Sequence, residues 1–371
     1  MKNTTALIFP ISFIIAAVIA CGVEPSPGQE TITTHKPTST QPEVDARPRD
    51  DRLLGIDVNE TDDGDFEKAF ALAMDSGLDF VSLTIYWDDF ETAPGVFAPE
   101  TNWLEIADSY YSAAGIRVAL VIAVVDTSVI HTPDDLRGLA FDEPVMAERF
   151  NSFLDYALAQ LTSVELISIS IGNEIDAFLG SDQAAWEAYQ TFYTSAVDHI
   201  HASHPDYRVG VKSMFDGLTH GHVSELDRIN QHSDVILVTY YPLHSDFSVR
   251  PASTVFADFE LVTQLYPSKP VYFLETGYPS SKELGSSELA QAEFVQNVFR
   301  AWDQHATGIK AVNFTWLHDI TPSDVKKYSR YYGINNPSFR AYLATLGLRH
   351  SDGTDKDAFI QLQQEAAARE W

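Results

Sequence analysis

Three things are scarce in this sequence. Cysteine occurs once, as Cys21, so no disulfide can form within the chain. Basic residues are outnumbered: 24 Lys and Arg stand against 53 Asp and Glu, a formal net charge of −29. Phosphate backbones are bound by clustered cations, so this balance argues against a nucleic-acid partner. It also disfavours polyanionic substrates and suits a soluble protein acting on a neutral ligand. The third absence is of motifs. No Gly-rich phosphate turn, Cys-based metal site or Gly-x-Ser-x-Gly elbow occurs. The histidines do not replace them. His199, His201 and His204 fall near a helix end where i and i+2 do not share a face, and His220 and His222 form an isolated Thr-His-Gly-His. The expectation is therefore no metal and no cofactor.

What is present begins with an apolar leader. Lys2 is followed by a short apolar run to Ala20, too short and one-sided for a good spanning helix. It ends in Val18-Ile19-Ala20-Cys21, which resembles the bacterial lipobox. The resemblance implies a signal peptide over residues 1–20 and a lipid anchor on Cys21, and Gly22 rather than aspartate follows it. That places the protein in the bacterial cell envelope, at the outer membrane or cell surface. The bland alternative is an ordinary secretory signal with an incidental cysteine. Residues 21–52 are rich in Pro, Thr, Ser, Glu and Gln, a composition that cannot bury a core and reads as a flexible tether.

From residue 53 the pattern changes. Apolar strand candidates lie at 53–58, 80–87, 118–125, 166–173, 208–214, 235–241, 271–274 and 309–316. Helical patterns fill most gaps. Phe66, Ala69, Phe70, Ala73 and Met74 mark one helix face, and Phe150, Phe153, Leu154, Ala157, Leu158 and Leu161 another. Eight such units over roughly 300 residues match a (β/α)₈ TIM barrel better than an open doubly wound sheet, whose phosphate turn is missing after the first strand. The barrel is set at 53–350, as a monomer, with 351–371 as a helical tail.

In a barrel the C-terminal strand ends share one mouth. Here they carry Trp87-Asp88-Asp89, Asp126, Asn173-Glu174, Tyr240-Tyr241 with His244 just beyond, Glu275, and Trp316-Leu317-His318-Asp319. Two glutamates, Glu174 and Glu275, end apolar runs. Either alone reads as a salt-bridge partner; as a pair on the fourth and seventh strands they are the equipment for a two-carboxylate cleavage of a glycosidic bond. Asn173, Trp87, Tyr240, Tyr241, His244, Trp316 and His318 are the candidate substrate contacts. Tyr240 and Tyr241 cannot both face inward, because strand side chains alternate, and Trp87 and Trp316 could equally be core aromatics.

Gly172-Asn173-Glu174 and Glu275-Thr276-Gly277-Tyr278-Pro279 resemble clan A of the glycoside hydrolases, over about residues 53–350. The resemblance implies a retaining mechanism, with Glu174 as acid/base and Glu275 as nucleophile. It further implies Asn173 on the sugar 2-hydroxyl, Tyr241 or Tyr240 against the nucleophile, and Trp316 under the cleaved sugar. The motifs are similar both to endo-β-1,4-galactanases and to plant-type endo-β-1,3-glucanases. Tyr240-Tyr241-Pro242 leans to the former, while Val124-Val125-Asp126-Thr127 lacks their His-Tyr-Ser-Asp run. The expected substrate is a neutral β-glycan of galactan or glucan type. Transglycosylation, surface capture of carbohydrate without turnover, and a purely structural envelope lipoprotein are the alternatives.

Overall fold

The computed structural model describes residues 46–371. Cys21, the signal segment and most of the tether lie outside the described residues. Eight parallel strands form the centre: β1 (Leu53–Ile56), β2 (Phe80–Ile85), β3 (Arg117–Asp126), β4 (Leu166–Asn173), β5 (Val209–Gly210 continuing as Lys212–Met214), β6 (Ile236–Tyr240), β7 (Val271–Thr276) and β8 (Ile309–Phe314). Each pairs with its chain neighbours, and β8 returns to β1 in register Leu53↔Ala311 to Ile56↔Phe314, so the sheet closes. The chain is a (β/α)₈ barrel. Strands buried on both faces read as continuous apolar runs, which is why they stood out in the sequence.

The outer ring holds α1 (Phe66–Asp75), α2 (Trp103–Ala114), α3 (Pro144–Gln160), α4 (Gln183–Ser203), α5 (Val223–Asn230), α6 (Thr254–Leu265) and α7 (Glu288–Gln304). The faces read from periodicity are the buried ones: Phe66, Ala69, Phe70 and Ala73 in α1, and Phe150, Phe153, Leu154, Ala157 and Leu158 in α3. Asp182 caps α4 by accepting from the amides of Ala184 and Ala185, which satisfies otherwise orphaned donors.

Two features depart from the sequence reading. Asp357–Ala367, read as a tail, packs against α7 in the ring and supplies its eighth helix (α10 below). The last residues of the tether also belong to the body. Arg52 is fully buried and pairs with Asp303 on α7 at 2.7 Å, and Arg369 takes the other oxygen of the same carboxylate at 2.6 Å. Trp371 stacks on Trp302 beside them at 5.1 Å. Composition hid both, because long cationic side chains are normally solvated and only a partner makes them core.

Between β8 and α10 the chain inserts α8 (Pro322–Tyr331) and α9 (Pro337–Ala344). Their apolar side chains (Val325, Tyr328, Tyr332, Phe339, Tyr342 and Leu343) form a second cluster with Tyr241 and Trp316 from the barrel rim. The insert therefore sits on the barrel mouth.

Candidate active site

The end of β4 is built to turn a carboxylate inward. Gly172 has φ +92°, and a Cβ there would strike the Tyr189 hydroxyl and Ile175, so glycine is required. Ser170 Oγ donates to the Gly172 carbonyl at 2.7 Å. Glu174 then adopts φ 47°, ψ 48°, a left-handed conformation that costs a non-glycine residue about 1–2 kcal/mol. Strain of this size survives where the surroundings hold it and is common at functional positions. The Glu174 carboxylate accepts from Thr127 Oγ1 at 2.7 Å through Oε2, while Oε1 is buried without a partner among the described residues.

Glu275, at the end of β7, is also fully buried. Its Oε1 receives the ammonium of Lys212 on β5, and its Oε2 accepts from the Tyr241 hydroxyl at 3.2 Å. Lys212 has no exposed side-chain area and neither does its partner. A charge so placed is tolerable only because it is paired.

The two glutamates thus differ in electrostatic setting. Burial pushes the Glu174 carboxyl well above the usual range, and the charge of Glu275 adds to the push. Burial raises Glu275 too, but the Lys212 ammonium and the Tyr241 hydroxyl act against it. Of the pair, Glu174 is pushed up further, and Glu275 is the one with a cation that favours its charged form. Two carboxyls with environments that part their proton affinities are the signature of an acid and a nucleophile.

Around them stands a polar frame. Asn173 Nδ2 donates to Asp126 Oδ1 at 2.6 Å, which fixes the amide beside Glu174. Asp126 Oδ2 accepts from Tyr331 of α8 at 2.8 Å and from Tyr86 at 3.2 Å. His131 stacks on Tyr86 at 4.0 Å and places Nε2 2.7 Å from the Tyr331 hydroxyl and Nδ1 3.0 Å from Asp88. On the other side Asp57, at the end of β1, accepts from Asn313 at 2.7 Å; burial, then the charge of Glu275, push it up to about 7. Trp316 is 1% exposed, and its indole N–H has no partner among the described residues.

The structure brings together Glu174, Glu275, Asn173, Tyr241 and Trp316 from the sequence-read set. Four others stand elsewhere. Trp87 is core: its N–H donates to Glu91 at 2.7 Å and its ring packs on Phe150 and Phe153. Tyr240 points to the helix layer, donating to Asp258 at 2.8 Å between Phe215, Phe259 and Phe273. Alternation along β6 leaves Tyr241 as the inward one of the two. His318 is buried between the Asn59 carbonyl, 2.8 Å from Nδ1, and Arg349, 2.9 Å from Nε2, and ties the β1 loop to the insert root. His244 is exposed in a tight turn closed by its backbone with Phe247 and Ser248.

The sequence by itself assigns no role to Lys212, Thr127, Asp126, Tyr331 or Tyr342. The sequence carries one signal for Lys212: a lone lysine in the strand Val-Gly-Val-Lys-Ser-Met must meet a carboxylate if the strand is buried. No group of His, Cys, Asp or Glu among the described residues is arranged to hold a metal ion.

No protein-family model and no curated protein matches the chain. Solved structures do. An exo-β-1,4-mannosidase from Opitutaceae bacterium strain TAV5 superposes with a TM-score of 0.66 at 18% identity, over 86% of this chain and 60% of that one. The chain thus spans less than two thirds of that mannosidase's length. A GH5_18 protein from Streptomyces cattleya gives 0.65 at 17% identity, over 88% and 81%. The family 1 β-glucosidase of Thermotoga maritima gives 0.61 at 11%, over 88% and 99%. What these proteins share with the chain is the (β/α)₈ barrel fold.

Proposed function

We propose that this protein is a retaining β-glycoside hydrolase. The observation that carries the reading is the pairing of two fully buried glutamates at the ends of β4 and β7, of which only Glu275 has an ammonium against it. Glu275 attacks the anomeric carbon as the bond to the leaving oxygen breaks, and the proton of Glu174 passes to that oxygen. The now ionised Glu174 takes a proton from water, whose oxygen attacks the same carbon, and Glu275 departs as a carboxylate. Asn173, held by Asp126, faces the sugar's hydroxyls, and Trp316 lines the site.

A β-glucan, β-galactan or β-mannan type glycoside fits a mouth lined by aromatics and uncharged donors in a strongly acidic protein. Similarity to proteins named as a mannosidase and a glucosidase supports the β-glycoside class. The sequence of residues 18–21 supports anchoring through Cys21 at the bacterial cell surface. Metabolic labelling with a lipid precursor tests the anchor; an unlabelled, freely secreted product contradicts it. For the chemistry, reducing-sugar release from β-galactan, β-1,3-glucan, β-1,4-glucan, mannan and xylan oligomers is expected from wild type and not from Glu275→Ala. Release that survives in the variant would remove Glu275 from its role.

A further inference from the structure

The glutamates stand at the mouth, yet neither is exposed there. Both are fully buried, and the roof is the insert. Leu346 packs so closely on Gly277, two residues beyond Glu275, that a Cβ there would lie 2.8 Å from its Cδ1. Tyr342 of α9 meets Tyr241 at a ring distance of 5.7 Å, and the charges of both Glu174 and Glu275 act on its hydroxyl. Tyr332 lies within reach of Asp126 and Glu174. A cleft of about 1440 Å³ runs along the insert past Asp319, Val325, Ser329 and Ala341, and neither glutamate lines it.

The roof is fastened at both ends. At its root, Lys356 pairs with Asp319 at 2.7 Å, and Gln291 donates to the carbonyls of Leu346 and Gly347 at 3.1 and 3.0 Å. At its far edge, Tyr331 reaches Asp126 on β3 at 2.8 Å and meets His131. The mouth is therefore bridged from β8 to β3.

Geometry also fixes which side is walled. The acid must stand beside the leaving oxygen, so the leaving group lies toward β4 and the rest of the sugar chain runs away from it. In a ring of eight strands the position opposite β4 is β8, where Trp316 stands and the insert is rooted. A polymer cut in its middle needs a cleft open at both ends. Here the insert covers the mouth on the side where the non-reducing end would have to leave. Beneath the insert lie buried polar atoms with no hydrogen-bond partner among the described residues: Glu174 Oε1, Trp316 Nε1 and the Tyr332 hydroxyl. Buried polar groups left unsatisfied are destabilising, and sugar hydroxyls can satisfy them.

We propose that the β8–α10 insert makes the site a chamber for a single terminal sugar, so that the substrate is a short β-oligosaccharide or chain end cut from its non-reducing terminus. The inference rests on the glycosidase reading above. Entry requires the Tyr331 edge to lift, and its closure encloses the sugar.

The test uses wild-type protein and reducing-end-labelled β-linked pentaoses of gluco, galacto and manno configuration. Labelled tetraose, then triose, with free monosaccharide from the first time points is the expected order. Early labelled mono- or disaccharide, or a fall in polymer viscosity ahead of monosaccharide release, overturns the proposal. A second arm follows covalent labelling of Glu275 by cyclophellitol epoxides of the same three configurations, bare or carrying a further sugar on O4. Wild type is expected to take the bare probe at least tenfold faster, and Tyr342→Ala to narrow that ratio. Equal labelling in wild type overturns the chamber while leaving the glycosidase intact. No labelling by any probe with no cleavage of any pentaose removes the glycosidase reading, and the chamber with it.

Discussion

Lys212 shows what one side chain does to its neighbour. An ammonium buried against Glu275 opposes the rise that burial imposes on that carboxyl, and Glu174 has no such partner. The acidic limb of activity reports loss of the proton from Glu275. Removing the cation in Lys212→Met raises that group further, so the acidic limb of kcat/KM is expected to move to higher pH, with a lower plateau. Lys212→Arg keeps the charge and should hold the limb near its original position; a Met variant with an unmoved limb would show that Lys212 is only a packing element. For Glu174→Ala, a loss of about 10²–10⁴-fold on poor leaving groups is expected, smaller on activated aryl glycosides that need no proton. Asp176 offers a stability counterpart. It is buried, its Oδ1 accepts from the Met214 amide, and burial pushes it from the ordinary carboxylate range up to about 7. A raised folded value means its favourable contribution is complete below about pH 4 and is lost as pH climbs through about 7. Denaturant midpoints of Asp176→Asn should therefore fall less than those of wild type between pH 4 and 7.

At the scale of elements, the barrel was legible and the insert was not. Strands buried on both faces announce themselves as apolar runs, and a glutamate ending such a run, as Glu174 and Glu275 do, is conspicuous; roles for Asn173, Tyr241 or Tyr240, and Trp316 come only from the family resemblance. Facing is harder. Tyr240 and Tyr241 are adjacent at a strand end, and only the packing of Tyr240 under α6 decides between them. Trp87, which the sequence leaves open between rim and core, begins a single helical turn and swings into the core. The roles of Tyr331 and Tyr342 could not be read at all, because they depend on how a loop region folds back over the mouth. The helix α10 (Asp357–Ala367) was set apart by its charged lead-in, yet Ala358, Phe359, Leu362 and Ala366 are buried. Leu362→Ala is expected to destabilise the whole barrel by about 2–5 kcal/mol, read from chemical denaturation. A change confined to α10, with the main transition unmoved, would mean that the helix is an appendage.

Over the whole molecule, the ring is tied beneath as well as roofed above. Asp303 on α7 holds Arg52 ahead of β1 and Arg369 beyond α10, so one carboxylate joins the start and the end of the barrel. Arg52 also lies over the rings of Trp302 and Trp371, 5.1 and 5.3 Å from their centroids. Asp303→Ala leaves two buried guanidinium groups uncompensated and is expected to cost about 3–5 kcal/mol, measured by the shift of the unfolding midpoint. Far from the mouth, it should leave KM of the folded protein unchanged. The central claim is covalent. Intact-mass spectrometry of the wild-type protein after incubation with 2-deoxy-2-fluoro-β-glycosyl fluorides of gluco, galacto and manno configuration tests it most directly. The expected result is one glycosyl adduct, mapped by peptide sequencing to Glu275 and absent from Glu275→Ala. An adduct on another residue, or hydrolysis of the corresponding natural glycosides with no adduct from any of the three, would contradict it.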